Sequence, residues 1–503
     1  MRSRVECLVL ALLVCSCSTT RQKAPTTDSP AGLTAQLNYA EFLLSADAST
    51  CDDRLTRAQE QLGSVDANPK THVMYPDGWA AVADLEYRVH LAWAECGGAA
   101  HRQEQLRTAA SAARRAAELY RDMFDYHSMV VLQFDASVAL HDLGEESAAI
   151  ASLETALEMD REFGFADDAR ENYELLLTWR GQPAGETQVA ALMQDFPKRQ
   201  VVMKFGWGPR DAQTTLESRR ACLLDRQVVS SRASASFDGQ IRANDSGGWS
   251  VSYARRLTNY EPGVWPIMQG SPPMAFPPVL IPEAGFEVSA SGEFNVVTES
   301  KAFAEQLAAR TEELIRTSAP SGEHARDIME VAVEKTPADL SPGLLEAVTA
   351  ENYQSETAMW IGATLDQGVW YEVSAPLSLP GMPRAVTQNS IQFAFTRMVP
   401  CAAEATTQPT CVEIVMRAAP EPEALDRLLA DYNNQPDVGR IDSYTASITT
   451  RLVTDPATLL PFAHEKKVYW FASVGKGVSL LQSENVLATT RYGGWSEVTT
   501  RHP

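Results

Sequence analysis

Few residue types in this chain stand at spacings that do chemistry, and cysteine is the one whose spacing raises a question. Eight cysteines and eight histidines are spread over 503 residues. Cys15-Ser16-Cys17 follows an apolar run from Leu8 to Val14. A Cys-x-Cys can be a metal-ligand pair, a redox motif or a processing signal. A metal pair wants further ligands close by, and the first histidine in the chain is His72. His464-Glu465 is followed by Lys466-Lys467 rather than by the spacing of a zinc-binding helix. Gly475-Lys476-Gly477 sets a lysine between glycines, but no helix N-terminus follows to hold a phosphate, so it reads as a hairpin turn. Glu145-Glu146 and Asp167-Asp168 fall at helix starts, where carboxylates complement the helix dipole. Asp245-Ser246-Gly247-Gly248 has too few oxygen ligands for calcium and reads as a turn. Phosphate-cradling loops, dinucleotide fingerprints and nucleophile elbows are absent from the sequence. The reading predicts no catalytic residue, no metal and no cofactor.

The flanks decide the Cys-x-Cys. Arg2 and Arg4 precede the apolar run, which is too short to span a bilayer. Val14-Cys15-Ser16-Cys17 resembles the lipobox of bacterial lipoproteins: an aliphatic residue, two small ones, then the cysteine that is acylated and becomes residue one. The resemblance implies that residues 1–16 are a signal peptide and that Cys17 carries a palmitate-type lipid anchor. Ser18 rather than Asp follows, which in such lipoproteins implies the outer membrane, so the expected location is its periplasmic face. The anchor has several acyl chains, where one alone would hold marginally.

An exported compartment permits disulfides. Cys401 and Cys411 bracket a loop between two strand-like runs and should clip that hairpin. Cys51 and Cys96, at helix ends, are the second candidate pair. Cys222 is left over in "LESRRACLLDR", which reads as helical, with the thiol buried and inert. Net charge is −22, and loss of Arg2, Arg4 and Glu6 takes it to −23. That argues against nucleic acid and against electrostatic binding to anionic membrane.

A chain of this length should form two or three domains. Residues 17–34 join the lipidated cysteine to a flexible tether rich in Thr, Ser, Ala and Pro. Residues 35–180 carry a helical period throughout; Trp79, Val82, Leu85, Val89, Ala92 and Cys96 line one helix face. Leu132 to Glu162 resembles one tetratricopeptide repeat. Leu143-Gly144 closes the first helix, and Ala149, Leu153 and Ala156 take the small–large–small positions of the second. Gln133 stands where that repeat has tryptophan and Arg161 where a proline is common. The resemblance implies tetratricopeptide-like helical hairpins, an architecture that binds protein partners.

Residues 181–503 read as an α+β domain with a curved antiparallel sheet and inserted helices, so the whole chain is multidomain, all-α and then α+β. Period-two alternation over "RASASFDGQIRANDSGGWSVSYARR" predicts strands turning at Asp238-Gly239 and at Asp245–Gly248. A single strand is expected at "GFEVSASGEFNVV". Helices follow at Ser300–Thr317, at Glu323–Lys335 and after Ser341-Pro342. Ala358 to Ala375 reads as a hairpin through Asp366-Gln367-Gly368. Ile391, Phe393 and Phe395 share a face of the next strand, which should pair with "CVEIVMRA". A helix opened by Pro420 to Pro422 turns Leu425, Leu428 and Leu429 inward, and a final meander has Tyr444, Ala446, Ile448 and Leu452 on its apolar face. Trp249, Trp360, Trp370, Phe393, Phe395 and Trp470 are the candidate ligand-face residues, to be weighed against simple core filling. In outline, strands interrupted by helices are similar to the half-barrel carriers that ferry lipoproteins, a likeness of architecture that implies a hydrophobic ligand.

Three functions follow from these features. The first is a non-catalytic, membrane-anchored scaffold that binds a protein partner through the helical repeats. The second is a carrier or binder of a lipid on the curved sheet. The third, a cell-envelope hydrolase, would need polar side chains that converge only on folding.

Overall fold

The computed structural model describes residues 51–66, 76–96, 99–183, 185–194, 196, 199–224, 227–261, 263–265, 274–276, 284–298, 300–302, 305, 342–401, 411–434, 440–474 and 478–492. Cys17, the tether and most of the two helices expected between 300 and 335 lie outside the described residues. The chain forms two compact units, a helical one ending at Arg199 and a sheet unit from Gln200 onward. No described helix is long and apolar enough to cross a membrane.

The helical unit comprises α1 (Cys51–Asp66), α2 (Pro76–Cys96), α3 (Ala99–Asp122), α4 (Tyr126–Asp142), α5 (Glu146–Phe163), α6 (Ala166–Trp179) and α7 (Glu186–Gln194). Each helix packs on the next, as short connections require. Asp125 caps α4, its carboxylate accepting from the Ser128 N–H at 3.3 Å. Gly144 and Gly164, both at φ of +83°, close α4 and α5 in a left-handed conformation that only glycine adopts freely. Ala149, Leu153 and Ala156 are fully buried where α5 meets its neighbours. Gln133 donates from Nε2 to Ser152 Oγ of α5 at 2.9 Å. The unit continues past residue 180 because Phe196 packs against Leu153, Leu157, Ala169 and Leu176.

The sheet unit carries β2 (Arg210–Leu224), β3 (Gln227–Ala243), β4 (Trp249–Glu261), β7 (Phe286–Val288), β8 (Phe294–Val297), β10 (Trp370–Leu379), β11 (Met382–Val399), β12 (Cys411–Pro420), β13 (Ile441–Thr454), β14 (Pro461–Val474) and β15 (Val478–Tyr492). These eleven form one sheet in the order β10-β11-β12-β13-β14-β15-β2-β3-β4-β7-β8, which is not closed. Its named pairings are antiparallel. β1 (Gln200–Val202) pairs with β9 (Thr364–Asp366), and β5 (Gly263–Trp265) with β6 (Met274–Phe276). Helices α8 (Pro342–Glu356) and α9 (Pro422–Asn433) also belong to the unit. Leu425, Leu428 and Leu429 of α9 pack on Tyr444, Ala446 and Trp470, as the sequence predicts.

Four local readings are corrected. Asp238-Gly239 makes no turn: β3 runs through it, paired on both sides. Gly239 is there because a Cβ would press on Ala212 at 3.3 Å and the Tyr253 ring at 3.4 Å. The turn falls at Asn244–Gly248, where Gly247 has φ of +80°. Cys222 lies on β2 rather than a helix, because cross-strand partners override a short apolar pattern ambiguous between the two. "GFEVSASGEFNVV" is a hairpin, β7 with β8, turning at Gly292. Asp366-Gln367-Gly368 joins no hairpin, since β9 pairs with β1 and β10 with β11.

Candidate functional site

Directly opposed residues of neighbouring strands share a face of the sheet. One row runs Tyr371, Phe393, Met416, Thr450, Lys466, Val486, Ser218, Ala233 from β10 to β3. The row beside it runs Glu372, Gln392, Arg417, Thr449, Lys467, Asn485, Arg219, Arg232 and lies on the other face. One face is therefore mixed apolar and the other polar. Both α8 and α9 sit on the mixed face, α9 over Tyr444 and Trp470, α8 beside His464 and Lys466.

The aromatic candidates divide among separate places on this frame. Trp360 (1% exposed), Phe393 and Phe395 (0%) come together with Met203, Leu365 and Leu452. Trp360 Nε1–H donates to the Ser355 carbonyl at 2.8 Å, and its ring meets Phe393 edge-on at 5.2 Å. Trp470 stands in a second cluster, 6.4 Å from Tyr444, with Gly381 against its ring. Trp249 packs on a third cluster that contains Trp207, Val251 and Phe286. Trp370 is 39% exposed at the sheet edge, with the Arg417 guanidinium 4.9 Å from its ring centre. Apart from Trp370, which faces the polar side, these aromatics thus fill the ends of the mixed face and form no single lining.

Between those ends the mixed face changes character. On β15, β2 and β3 it presents mostly small side chains, Val486, Ala488, Ser218, Ser231, Ala233 and Ala235, with the larger Leu216 between Ala488 and Ala235. A charged band crosses this stretch. Glu484 lies directly opposite Arg220, which donates from Nη2 to Gln482 Oε1 at 3.0 Å. Burial pushes the Glu484 carboxyl above its ordinary range, against the pull of Arg220 and Lys466. Lys466 Nζ is 4.0 Å from Glu351 of α8, and His464 Nδ1 is 2.8 Å from Glu356. These charges were missed in the sequence reading. The signal was there: in "HEKKVYWF", strict alternation must send His464 and Lys466 to the face of Val468 and Trp470.

The polar face carries a brace rather than a site. Glu413 is fully buried and accepts from Thr396 Oγ1 (3.0 Å), Arg397 Nε (3.2 Å) and Arg451 Nε (2.8 Å). Burial alone would raise its carboxyl, but the two guanidiniums hold it below the ordinary range. Arg451 also approaches Glu465 at 3.8 Å, and Lys467 does so at 3.5 Å. Cys401 and Cys411 are disulfide-bonded next to the Val399–Cys411 pair that closes β11 on β12. Cys96 is disulfide-bonded, while the side chain of Cys51 lies outside the described residues. No group of three or more His, Cys, Asp or Glu spaced to hold a metal occurs among the described residues.

No family model and no curated protein matches this chain. Among solved structures it is similar to a lipovitellin studied for its lipid–protein interactions, at 9% identity over 57% of this chain and with a TM-score of 0.28. The chain spans about a quarter of that neighbour, 25% of its length. A likeness of that size decides nothing about function.

Proposed function

We propose that the sheet unit binds a hydrophobic ligand, a lipid or other amphiphile, on the mixed face over β15, β2 and β3. The observation that carries this reading is the stretch around Leu216, where Ser218, Ala233, Ala235 and Ala488 are small, set between aromatic-packed ends. An acyl chain suits such a surface, and the band of Arg220, Lys466, Gln482 and Glu484 suits a polar head beside it. The second reading, a partner-binding scaffold, is favoured by the consecutive helical hairpins α2 to α6. In both readings Cys17 anchors the chain to the periplasmic face of the outer membrane.

The test is native mass spectrometry of the full mature chain, followed by titration with a fluorescent fatty-acid analogue. A co-purified or added apolar species should bind, and Ala235→Trp should displace it by filling the stretch. An empty protein that also ignores the probe would leave the helical hairpins as the working surface.

A further inference from the structure

Among the described residues, seven large hydrophobics are exposed, and four of them, Val369 (45%), Trp370 (39%), Val373 (43%) and Val386 (54%), are spread along one edge hairpin. They surround β10, the outermost strand of the large sheet. Only β11 pairs with β10 among the described strands, so the outer backbone N–H and C=O groups of β10 have no strand to bond. Pro376, which has no N–H to donate, lies on this strand, as prolines do on natural edges, and Trp370 to Ala375 precede it with no outer partner strand among the described residues.

What could cover this edge is restricted by its chemistry. Alternating N–H and C=O groups are satisfied in series by another extended backbone, and a glycan or acyl chain does not supply that alternation. Side chains alternate as well. Tyr371, Val373 and Ala375 face the mixed side, while Trp370, Glu372 and Ser374 face the polar side. At this edge the polar side carries two carboxylates. The Glu372 carboxylate accepts from Ser390 Oγ at 2.6 Å, and the Glu421 carboxylate accepts from Ser374. The nearby Arg417 is turned onto the Trp370 ring. Tryptophan and arginine are both among the residues enriched at the energetic centres of interfaces.

We propose that the β10 edge is a docking site for an extended segment of a partner polypeptide. The segment adds as a further strand, with apolar residues over Val373 and lysine or arginine over Glu372. This site is separate from the small-residue stretch on β15, β2 and β3, and either can fail without the other.

The test uses a short synthetic peptide alternating valine with lysine, titrated into the full mature chain and followed by calorimetry. Saturable binding is expected, lost when alternate amide nitrogens of the peptide are methylated and absent for a valine–glutamate peptide. Glu372→Lys should weaken the lysine peptide by about tenfold, the scale of one close charge pair. The proposal is overturned by no binding up to about 1 mM, or by equal affinity of the methylated peptide. It is overturned equally by a chain dimer that Val373→Lys dissolves, which would make a second copy the occupant. Because the methylated peptide tests backbone pairing on the unmodified protein, a misfolded variant does not affect that arm.

Discussion

Glu413→Gln isolates the energetics of the polar face, because it preserves the volume and one acceptor of a carboxylate that is 0% exposed. The substitution leaves Arg397 and Arg451 facing a neutral group. Removing one member of a fully buried ion pair costs about 3–5 kcal/mol. The two arginine side chains are 26% and 25% exposed, so water offsets part of their loss and the expected cost falls to about 2–4 kcal/mol. For a unit of this size that is a drop of roughly 5–10 °C in Tm, read from the loss of sheet ellipticity. The pH dependence fixes the cause. The native carboxyl titrates below its ordinary value, so its contribution is present above the unfolded-state value near ~4.3 and is lost as pH falls through the lower native value. The gap between wild type and variant should therefore be full at neutral pH and close in acid. A variant within about 0.5 kcal/mol of wild type at neutral pH, or a gap that ignores pH, would refute the argument.

Asp160 behaves in the opposite sense: burial pushes its carboxyl up to about 8, against the hydrogen bond donated by Asn172 at 2.6 Å. The stability supplied by the protonated form is complete below the unfolded value near ~3.9 and is lost as pH rises through about 8. Asp160→Asn should flatten the decline of helical-unit stability between those limits, and an unchanged slope in melts at 222 nm counts against it. A Cβ at Gly248 would stand 2.1 Å from the Val288 carbonyl oxygen, so Gly248→Ala should cost about 1–3 kcal/mol, measured by denaturant titration. A cost near zero would mean that β7 does not approach the turn so closely. Cys17→Ser should move the protein from the membrane fraction to the soluble one, and retention in the membrane fraction would end the lipobox reading.

The class of each unit follows from local pattern. A 3.6-residue period with glycine stops is enough for α4 and α5, and alternation over Tyr444–Leu452 is enough for β13, because both depend on near neighbours in sequence. The Cys401–Cys411 pairing was legible for the same reason, the two flanking strands being consecutive. Asp238-Gly239 was misread because a turn pair and a strand glycine look alike until Tyr253 arrives from β4. The order of the sheet lay beyond any local rule. β15 lies beside β2 although some 250 residues of sequence separate them, and only that pairing sets Glu484 opposite Arg220. The same closure gathers Ser218, Ala233 and Ala488 on one stretch and leaves β10 at the edge. Sequence alone therefore determined the class of each unit and most of its helices and strands, and where the anchor is expected. Only the tertiary structure decided which faces meet, because side chains distant in sequence become neighbours only through strand register.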